Sequence, residues 1–294
     1  MPSVMRTTLL AEHKKNRLLS VWRSWVLAMS NRFSRRPCVT GEGPVVCVTS
    51  HGYRLQHVHL TLESIASGDL KPGRLLLCLD EQERELPRTA PLRRLQARGL
   101  EIIYGPRCGP HQKYLAYVQQ ASVLEHPLAT ADDDVLYPRY WLQDLLSAHG
   151  RMPDVIHCYR AHRVGLQESG LAAYRTWLPC EDTRPSLLNF ATGVSGVIYP
   201  ARFQRWLREQ GRGFDTCCPR ADDIWLHVNA VRCGMPIAQL HNEPVHFVGA
   251  PGTRQGALHR HNVSQGGNDQ QLGATYTPQD LQRLNAAAMT QSPT

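Results

Sequence analysis

From Val45 onward the chain alternates short apolar runs with helical stripes, and this alternation restricts it to one fold class. Val45-Val46-Cys47-Val48-Thr49 is a continuous apolar run of strand length. Leu55, Val58, Leu62 and Ile65 then recur at spacings of three and four, which predicts a helix ending near Gly68. Arg74 to Leu79 reads as a second strand closed by Asp80. Leu100 to Tyr104 reads as a third, before the turn Gly105-Pro106…Gly109-Pro110. Tyr114, Tyr117, Val118, Ala121 and Leu124 form the next helical stripe and lead into a strand at Leu128-Ala129. Strands alternating with helices at such intervals imply an α/β fold, a mostly parallel sheet flanked by helices. Such sheets bind ligands at the carboxyl ends of their strands. Thr49, Ser50, Asp80 and the residues just past Ala131 are therefore expected to converge.

Directly after Ala131 stand three carboxylates, Asp132-Asp133-Asp134. Neighbouring carboxylates repel one another, so a strand end seldom carries three of them without a cation nearby. A solvated acidic turn is the plain alternative, but the apolar lead-in and the strand-end position favour a site. Mg²⁺ and Mn²⁺ prefer hard oxygen ligands and are often held by one or two carboxylates plus substrate phosphates. The formal charge of +8 independently favours anionic partners. Basic residues are dispersed without a nucleic-acid-binding module, so nucleic acid is not expected among them.

The second half is more mixed. Asp154 to Tyr159 and Val194 to Tyr199 read as strands, Arg202 to Gln210 as a helix closed by Gly211, and Ala221-Asp222-Asp223-Ile224-Trp225-Leu226 opens another helix. One carboxylate in a first turn is explained by the helix dipole; a second one in Asp222-Asp223 suits a general base. Pro236 to Leu240 and Val245 to Val248 read as short strands. Gly249 to about Gly273 has little apolar content and reads as a long loop of the kind that forms lids. Thr277-Pro278-Gln279-Asp280 is a helix start, with an N-cap, Pro at N1 and a carboxylate at N3. Arg107, His111 and Lys113 lie around the start of the helix after the third strand, where they can reach a diphosphate. Lys113 is the favoured one. Arg254 and Arg260, in the lid segment, can close over the same group.

In this order the motifs resemble those of GT-A fold glycosyltransferases. Thr49-Ser50 ends the first strand, Asp80 the second, an Asp-any-Asp motif lies in Asp132-Asp133-Asp134, and "GVSGVIYP" precedes "ADDIWLHVNAV". The run resembles bacterial polysaccharide glycosyltransferases over roughly residues 44 to 248, and more loosely the exostosin-type domain. The resemblance implies that Thr49, Ser50 and Asp80 contact the base and ribose of a nucleotide-diphosphate sugar. It implies that Asp132 and Asp134 hold Mn²⁺ or Mg²⁺, and that Asp133 faces the ribose or donor sugar. A third metal ligand from the C-terminal part is expected, with His246 the first candidate; His259 and His261 are others. Asp223, with Asp222 close behind, is the implied base that deprotonates the acceptor hydroxyl in inverting transfer, and a retaining outcome stays open. The acceptor implied is a glycan or lipid-linked sugar in cell-surface polysaccharide synthesis. The Gln-any-any-Arg-Trp motif of processive synthases is absent, which argues for transfer of single sugars. Two other readings share these features: a non-catalytic nucleotide-sugar-binding protein of the same fold, and a metal-dependent phosphohydrolase. A sugar nucleotidyltransferase is disfavoured, because "VTSHGYRLQ" lacks a Gly-rich loop.

Residues 1–43 stand apart as a basic amphipathic helix and linker, before a catalytic domain at 44–248 and a lid loop with terminal helix at 249–294. Leu18, Trp22, Trp25, Val26, Met29 and Phe33 recur at helical spacing among Lys14, Lys15, Arg17, Arg23, Arg32, Arg35 and Arg36. This pattern suits a helix on an anionic membrane surface. It suits equally a helix packed on its own domain or on a partner. No apolar stretch approaches the roughly 20 residues of a membrane span, and nine scattered cysteines without a CxxC pair suggest free thiols. The cytoplasm is the expected location, with the helix allowing a place on the inner face of the cell membrane.

Overall fold

The structure, a computed structural model, describes residues 2–85, 89–168, 170–253 and 266–291, with side chains from residue 18 onward. Helix α1 (Pro2–Phe33) is followed by β1 (Val45–Thr49), α2 (Val58–Ala66), β2 (Arg74–Asp80), α3 (Ala90–Gln96), β3 (Leu100–Gly105), α4 (Gln112–Gln120) and β4 (Leu128–Ala131). Then come α5 (Trp141–Arg151), β5 (Ile156–Cys158), β6 (Ala161–Arg163), β7 (Leu166–Gln167), β8 (Gly170–Leu171), β9 (Asn189–Ala191) and β10 (Val197–Tyr199). The chain closes with α6 (Ala201–Gln210), α7 (Asp222–Arg232), β11 (Ile237–Gln239), α8 (Gly267–Thr275) and α9 (Pro278–Gln291).

Seven strands form one sheet in the order β11-β5-β10-β4-β1-β2-β3. All its pairings are parallel except those of β10, which runs antiparallel to both β4 and β5. The sheet is buried on both faces, which is why β1 reads as an unbroken apolar run rather than an alternating one. Val45 and Cys47 join the core beneath α4, α6 and α7, whereas Val46 and Val48 join the core beneath α2, α3 and α5. Both layers depend on crossover helices returning each strand in the same direction, so the carboxyl ends of β1, β2 and β4 lie along one edge.

Two expectations are corrected. Val245 to Val248 is not a strand: Val245 donates its N–H to Tyr159, while the Val248 carbonyl accepts from Leu136, so neighbouring residues spend their hydrogen bonds on different segments. The polar stretch expected as a loop to Gly273 is helical from Gly267, because Leu272 is anchored in the core and the Asp269 carboxylate accepts the N–H of Tyr174 at 2.7 Å. The helix start at Thr277 is as expected, with the Asp280 carboxylate accepting from the Thr277 N–H at 2.9 Å and hydroxyl at 2.8 Å. The two-stranded pairs β6–β9 and β7–β8 have too few residues to leave a periodic signal.

Helix α1 packs on α2 and α3. Its inward residues are Ser20, Ser24, Leu27 and Asn31, all buried. Ser30 and Asn31 donate to the buried Glu63 carboxylate, Ser20 to the Gly249 carbonyl and Arg23 to the Tyr137 carbonyl. All nine cysteines are free, and among the described residues no helix is long and apolar enough to cross a membrane.

Candidate active site

β4 is buried throughout and delivers Asp132-Asp133-Asp134 to the carboxyl edge of the sheet. Each carboxylate is then fixed separately. The Asp132 N–H donates to the Tyr137 hydroxyl at 2.9 Å, and Tyr137 is fully buried. Asp133 turns inward, accepting from the Ser50 hydroxyl at 2.5 Å and pairing with Arg54 at 3.1 Å. Asp134 also pairs with Arg54, and its carbonyl accepts from Ala250 N–H at 2.7 Å. Burial, then the neighbouring Asp132 carboxylate, push Asp134 up to about 6 although Arg54 opposes them. Negative charge at this strand end thus exceeds what the protein's own cations neutralise.

Lys113 enters from the first turn of α4. Its ammonium lies 3.1 Å from Asp132 and 3.1 Å from Asp222, with its side chain only 10% exposed. Burial disfavours its charge, but Asp132, Asp222 and Asp223 together hold it protonated well above the ordinary lysine range. His111, two residues earlier, does not join it. That ring stacks on Phe214 with centroids 3.7 Å apart, donates to the Cys218 carbonyl and accepts from Tyr114, and burial pushes it down to about 4. It is a neutral core residue that anchors the start of α4.

Asp222 and Asp223 form the first turn of α7. Asp223 accepts the N–H of Gly193 at 2.9 Å. Burial, reinforced by Asp222, holds the Asp223 carboxyl well above the ordinary range, with Lys113 and the Gly193 N–H opposing. Gly193 can be nothing larger without displacement, since a Cβ there would stand 3.0 Å from the Lys113 ammonium and 3.2 Å from the Asp223 carboxylate. The turn that presents it is strained. Ser195 has φ 70° and Gly196 φ 104°, and a Cβ at Gly196 would lie 2.6 Å from the Trp141 indole nitrogen, which donates to the Ser195 carbonyl. Such strain concentrates where a loop must hold a fixed shape.

These groups line one cavity of about 300 Å³. It brings together Thr49, Lys113, Asp132, Asp133, Asp134, Asp222 and Asp223. Ser50 stands behind it, holding Asp133. Asp80 and His246 do not line it: Asp80 has Arg107, Glu83 and His51 as its charged neighbours, and His246 is exposed beside Arg160. Arg254, like Arg260, His259 and His261, lies outside the described residues. Three cations that the sequence did not single out line the same space, Arg54, Arg160 and Arg220. Arg54 follows β1 in a short 3₁₀ turn and Arg160 follows β5, so neither sits in a periodic pattern that would mark it. Arg220 directly precedes Ala221-Asp222-Asp223 and was the one legible from its neighbours.

The donor set suits a hard divalent cation. Asp132 and Asp134 both reach the cavity with oxygen donors, and the buried Asp222 Oδ2 accepts no hydrogen bond. Among the described residues no three Asp, Glu, His or Cys side chains form a closed metal cage. Two carboxylates with the remaining positions left to phosphate and water is the arrangement Mg²⁺ and Mn²⁺ accept.

A mostly parallel sheet with an acidic run at the end of its central strand is the GT-A architecture, and this chain has a GT-A glycosyltransferase-like fold. It is similar to the mannosyltransferase PcManGT from Pyrobaculum calidifontis, solved with GDP-Man and Mn²⁺. The TM-score is 0.54 at 15% identity, over 98% of this chain and 81% of the other. It is also similar to GalNAc-T7, solved with UDP, GalNAc and Mn²⁺, with TM-score 0.50 at 13% identity over 73% of this chain; that match spans 44% of the other. A further match is to 4-diphosphocytidyl-2C-methyl-D-erythritol synthase from Anaerococcus prevotii, with TM-score 0.47 at 10% identity over 72% of this chain and 92% of the other. No family model and no curated protein matches the sequence.

Proposed function

We propose that the chain transfers one sugar from a nucleotide-diphosphate sugar to a hydroxyl of a glycan or lipid-linked acceptor, in cell-surface polysaccharide synthesis. The observation that carries this reading is the single cavity shared by the acidic run, Lys113 and the Asp222-Asp223 pair. A phosphohydrolase needs only the first of these; a transferase also needs a base across the cleft. Thr49, Ser50 and Asp80 serve the nucleoside, Ser50 acting through Asp133. Asp132 and Asp134 hold Mn²⁺ or Mg²⁺, which when bound stabilises negative charge on the departing diphosphate. His246 would have to move to join them. Lys113, Arg160 and Arg220 surround the space where that charge develops, and preoriented cations in a water-poor site lower the barrier to its formation. Arg254 is kept as a lid cation for the same group.

Asp223 acts as base, with Asp222 holding Lys113 in place. Its raised affinity for protons suits a group that must accept one from an alcohol near neutral pH. The acceptor oxygen forms a bond to the anomeric carbon, the bond from that carbon to the diphosphate oxygen breaks, and the hydroxyl proton passes to Asp223. The nucleoside diphosphate leaves, and inversion results from a single displacement. The acceptor sugar, hexosyl or N-acetylhexosaminyl, and a place at the inner face of the membrane belong to the same reading. Thermal unfolding with UDP- and GDP-sugars, with and without Mn²⁺, tests it, since a ligand of the native state raises the melting temperature. A metal-dependent rise with one donor is expected; no rise with any donor overturns it. Asp223→Asn should keep that rise yet lose at least about a hundredfold in transfer rate. Full transfer by this variant would remove Asp223 from the role, and binding without transfer by the parent would leave a sugar-nucleotide binder.

A further inference from the structure

Helix α1 is amphipathic with the wrong face inside. The buried stripe is Ser20, Ser24, Leu27 and Asn31; the stripe Leu18, Trp22, Trp25, Met29 and Phe33 points to solvent. At about 100° per residue the two stripes lie roughly 180° apart. Trp22 is 61% exposed, Trp25 63% and Phe33 66%. A contiguous apolar strip of this kind on a folded chain marks a surface that something covers.

The charge around the strip selects what covers it. Between Lys14 and Arg36 the sequence has seven cations and no Asp or Glu. A second copy seated face to face would set these cations against their own images. An anionic bilayer instead offers apolar depth for the tryptophans and phosphate for the rim.

A second feature points the same way. At the carboxyl end of α1 a cavity of about 600 Å³ is lined by Arg35, Arg36, Lys71, Arg98 and Arg139, together with Phe33 of the apolar strip. Arg98 is paired with the buried Glu63 at 2.9 Å and Arg139 with Asp69 at 2.7 Å, while the Lys71 ammonium donates to the Pro37 carbonyl at 2.5 Å. Arg35 and Arg36 have no ion-pair partner among the described residues, and both are exposed. Five cations therefore face two carboxylates. Arginine forks match phosphate oxygens in pairs, and serines 30, 34 and 67 add hydroxyls to the wall.

We propose that the chain docks on an anionic phospholipid bilayer through the outer face of α1, with the basic cavity beside Phe33 receiving one lipid phosphate headgroup. The cavity lies where α2 leads into β2 and before β3, at the amino edge of the sheet, opposite the candidate active site. The other end of α1 is near that site: Ser20 donates to Gly249, and Gly249 pairs with Val135 beside the acidic run. The strip thus spans the molecule between its two edges. A helix lying flat on a bilayer would bring the reaction cavity beside the membrane, where a lipid-linked acceptor resides. Docking itself does not depend on the transferase reading.

The test is co-sedimentation of the full chain, without donor, with vesicles of phosphatidylcholine and of phosphatidylcholine mixed equally with phosphatidylglycerol. Binding to the anionic vesicles alone, weakened by salt and accompanied by a blue shift of tryptophan emission, is expected. Arg35→Ala with Arg36→Ala should weaken it roughly twentyfold. Trp22→Ser with Trp25→Ser should weaken it by about tenfold or more. Lys71→Ala and Arg139→Ala lie off the helix and should each weaken binding about fivefold if the cavity takes a headgroup. Melting temperatures of all variants near that of the parent exclude misfolding as the cause. No binding of the parent to anionic vesicles, or unchanged binding by the tryptophan variant, overturns the proposal. Unchanged binding by both Lys71→Ala and Arg139→Ala overturns the headgroup site. Light scattering that shows a dimer, without vesicle binding, assigns the strip to a second copy instead.

Discussion

Replacing Lys113 by Met removes one cation from between two acidic segments, and the structure sets how much that should cost. The ammonium touches Asp132 and Asp222, each at 3.1 Å, and Asp223 adds to the field that keeps it protonated. Taking one partner out of a buried ion pair costs about 3–5 kcal/mol, because the remaining charge has lost both water and counter-ion. Asp132 keeps 26% of its side-chain exposure and regains some solvent, whereas Asp222 keeps 10% and does not. The lower end, about 3 kcal/mol, is therefore expected. At roughly 2–4 °C per kcal/mol for a chain of this size, the melting temperature should fall by about 6–12 °C at pH 7. The loss should shrink at pH 5, where the orphaned carboxylates can protonate instead of standing unpaired. Thermal unfolding followed by tryptophan emission at both pH values measures it. A fall below about 2 °C at pH 7, or an equal fall at both pH values, would refute the electrostatic account and leave Lys113 as mere packing.

Gly193→Ala keeps the net charge but puts a methyl group 3.0 Å from the Lys113 ammonium and 3.2 Å from Asp223. The fold should survive with about 1–3 kcal/mol of strain, while transfer falls by more than about tenfold; parent-like turnover would show that the contact tolerates displacement. Asp134→Asn should abolish the rise in melting temperature that Mn²⁺ gives the parent. That rise should itself be larger at pH 7 than at pH 5, because ligation needs the ionised carboxylate and Asp134 stands at about 6; an identical Mn²⁺ response in the variant removes Asp134 from the metal site. His111 and His227 are buried and held neutral, each lowered to about 4 by desolvation. The unfolded chain takes up protons below about 6.5 where the native state does not, so stability present above 6.5 is lost as pH falls toward 4, by up to roughly 3 kcal/mol per histidine. Urea titrations at pH 7 and 5 should show this loss, and His227→Gln should reduce it; a flat profile counts against both.

The α/β alternation was legible because a doubly covered parallel sheet needs unbroken apolar strands, and residues 45–49 and 74–80 supply them. The acidic run was legible because its position followed from strand ends. Lys113 could be chosen over Arg107 and His111 by its nearness to a helix start, and the cavity contains it and neither of the others. What periodicity could not show was which side chains turn back into the site from short irregular segments. Arg54 stands in a 3₁₀ turn and meets an aspartate 80 positions downstream. Gly193 owes its place to the Ser195–Gly196 turn, whose positive φ values have no periodic signature. Ser50, read as a ligand contact, is a support for Asp133 instead, a distinction that depends on side-chain direction by less than one residue's rise.

The amino-terminal helix shows a different limit. Its periodicity located two faces correctly, and the ordinary rule then assigns the apolar face to the interior. Here that rule is reversed by hydrogen bonding. Glu63 is fully buried on α2 and needs donors; Ser30, Asn31 and Arg98 supply them, all within about 3.3 Å. A buried carboxylate left without those donors would cost several kcal/mol, while burying Trp22 and Trp25 in its place would gain roughly 2–3 kcal/mol each. The two orientations are comparable in water, and the polar one keeps a carboxylate satisfied at the price of an exposed aromatic strip. That strip is stabilised only where an apolar phase is available. The same serines and asparagine that look like interruptions of an amphipathic pattern are therefore what frees its apolar side for a membrane.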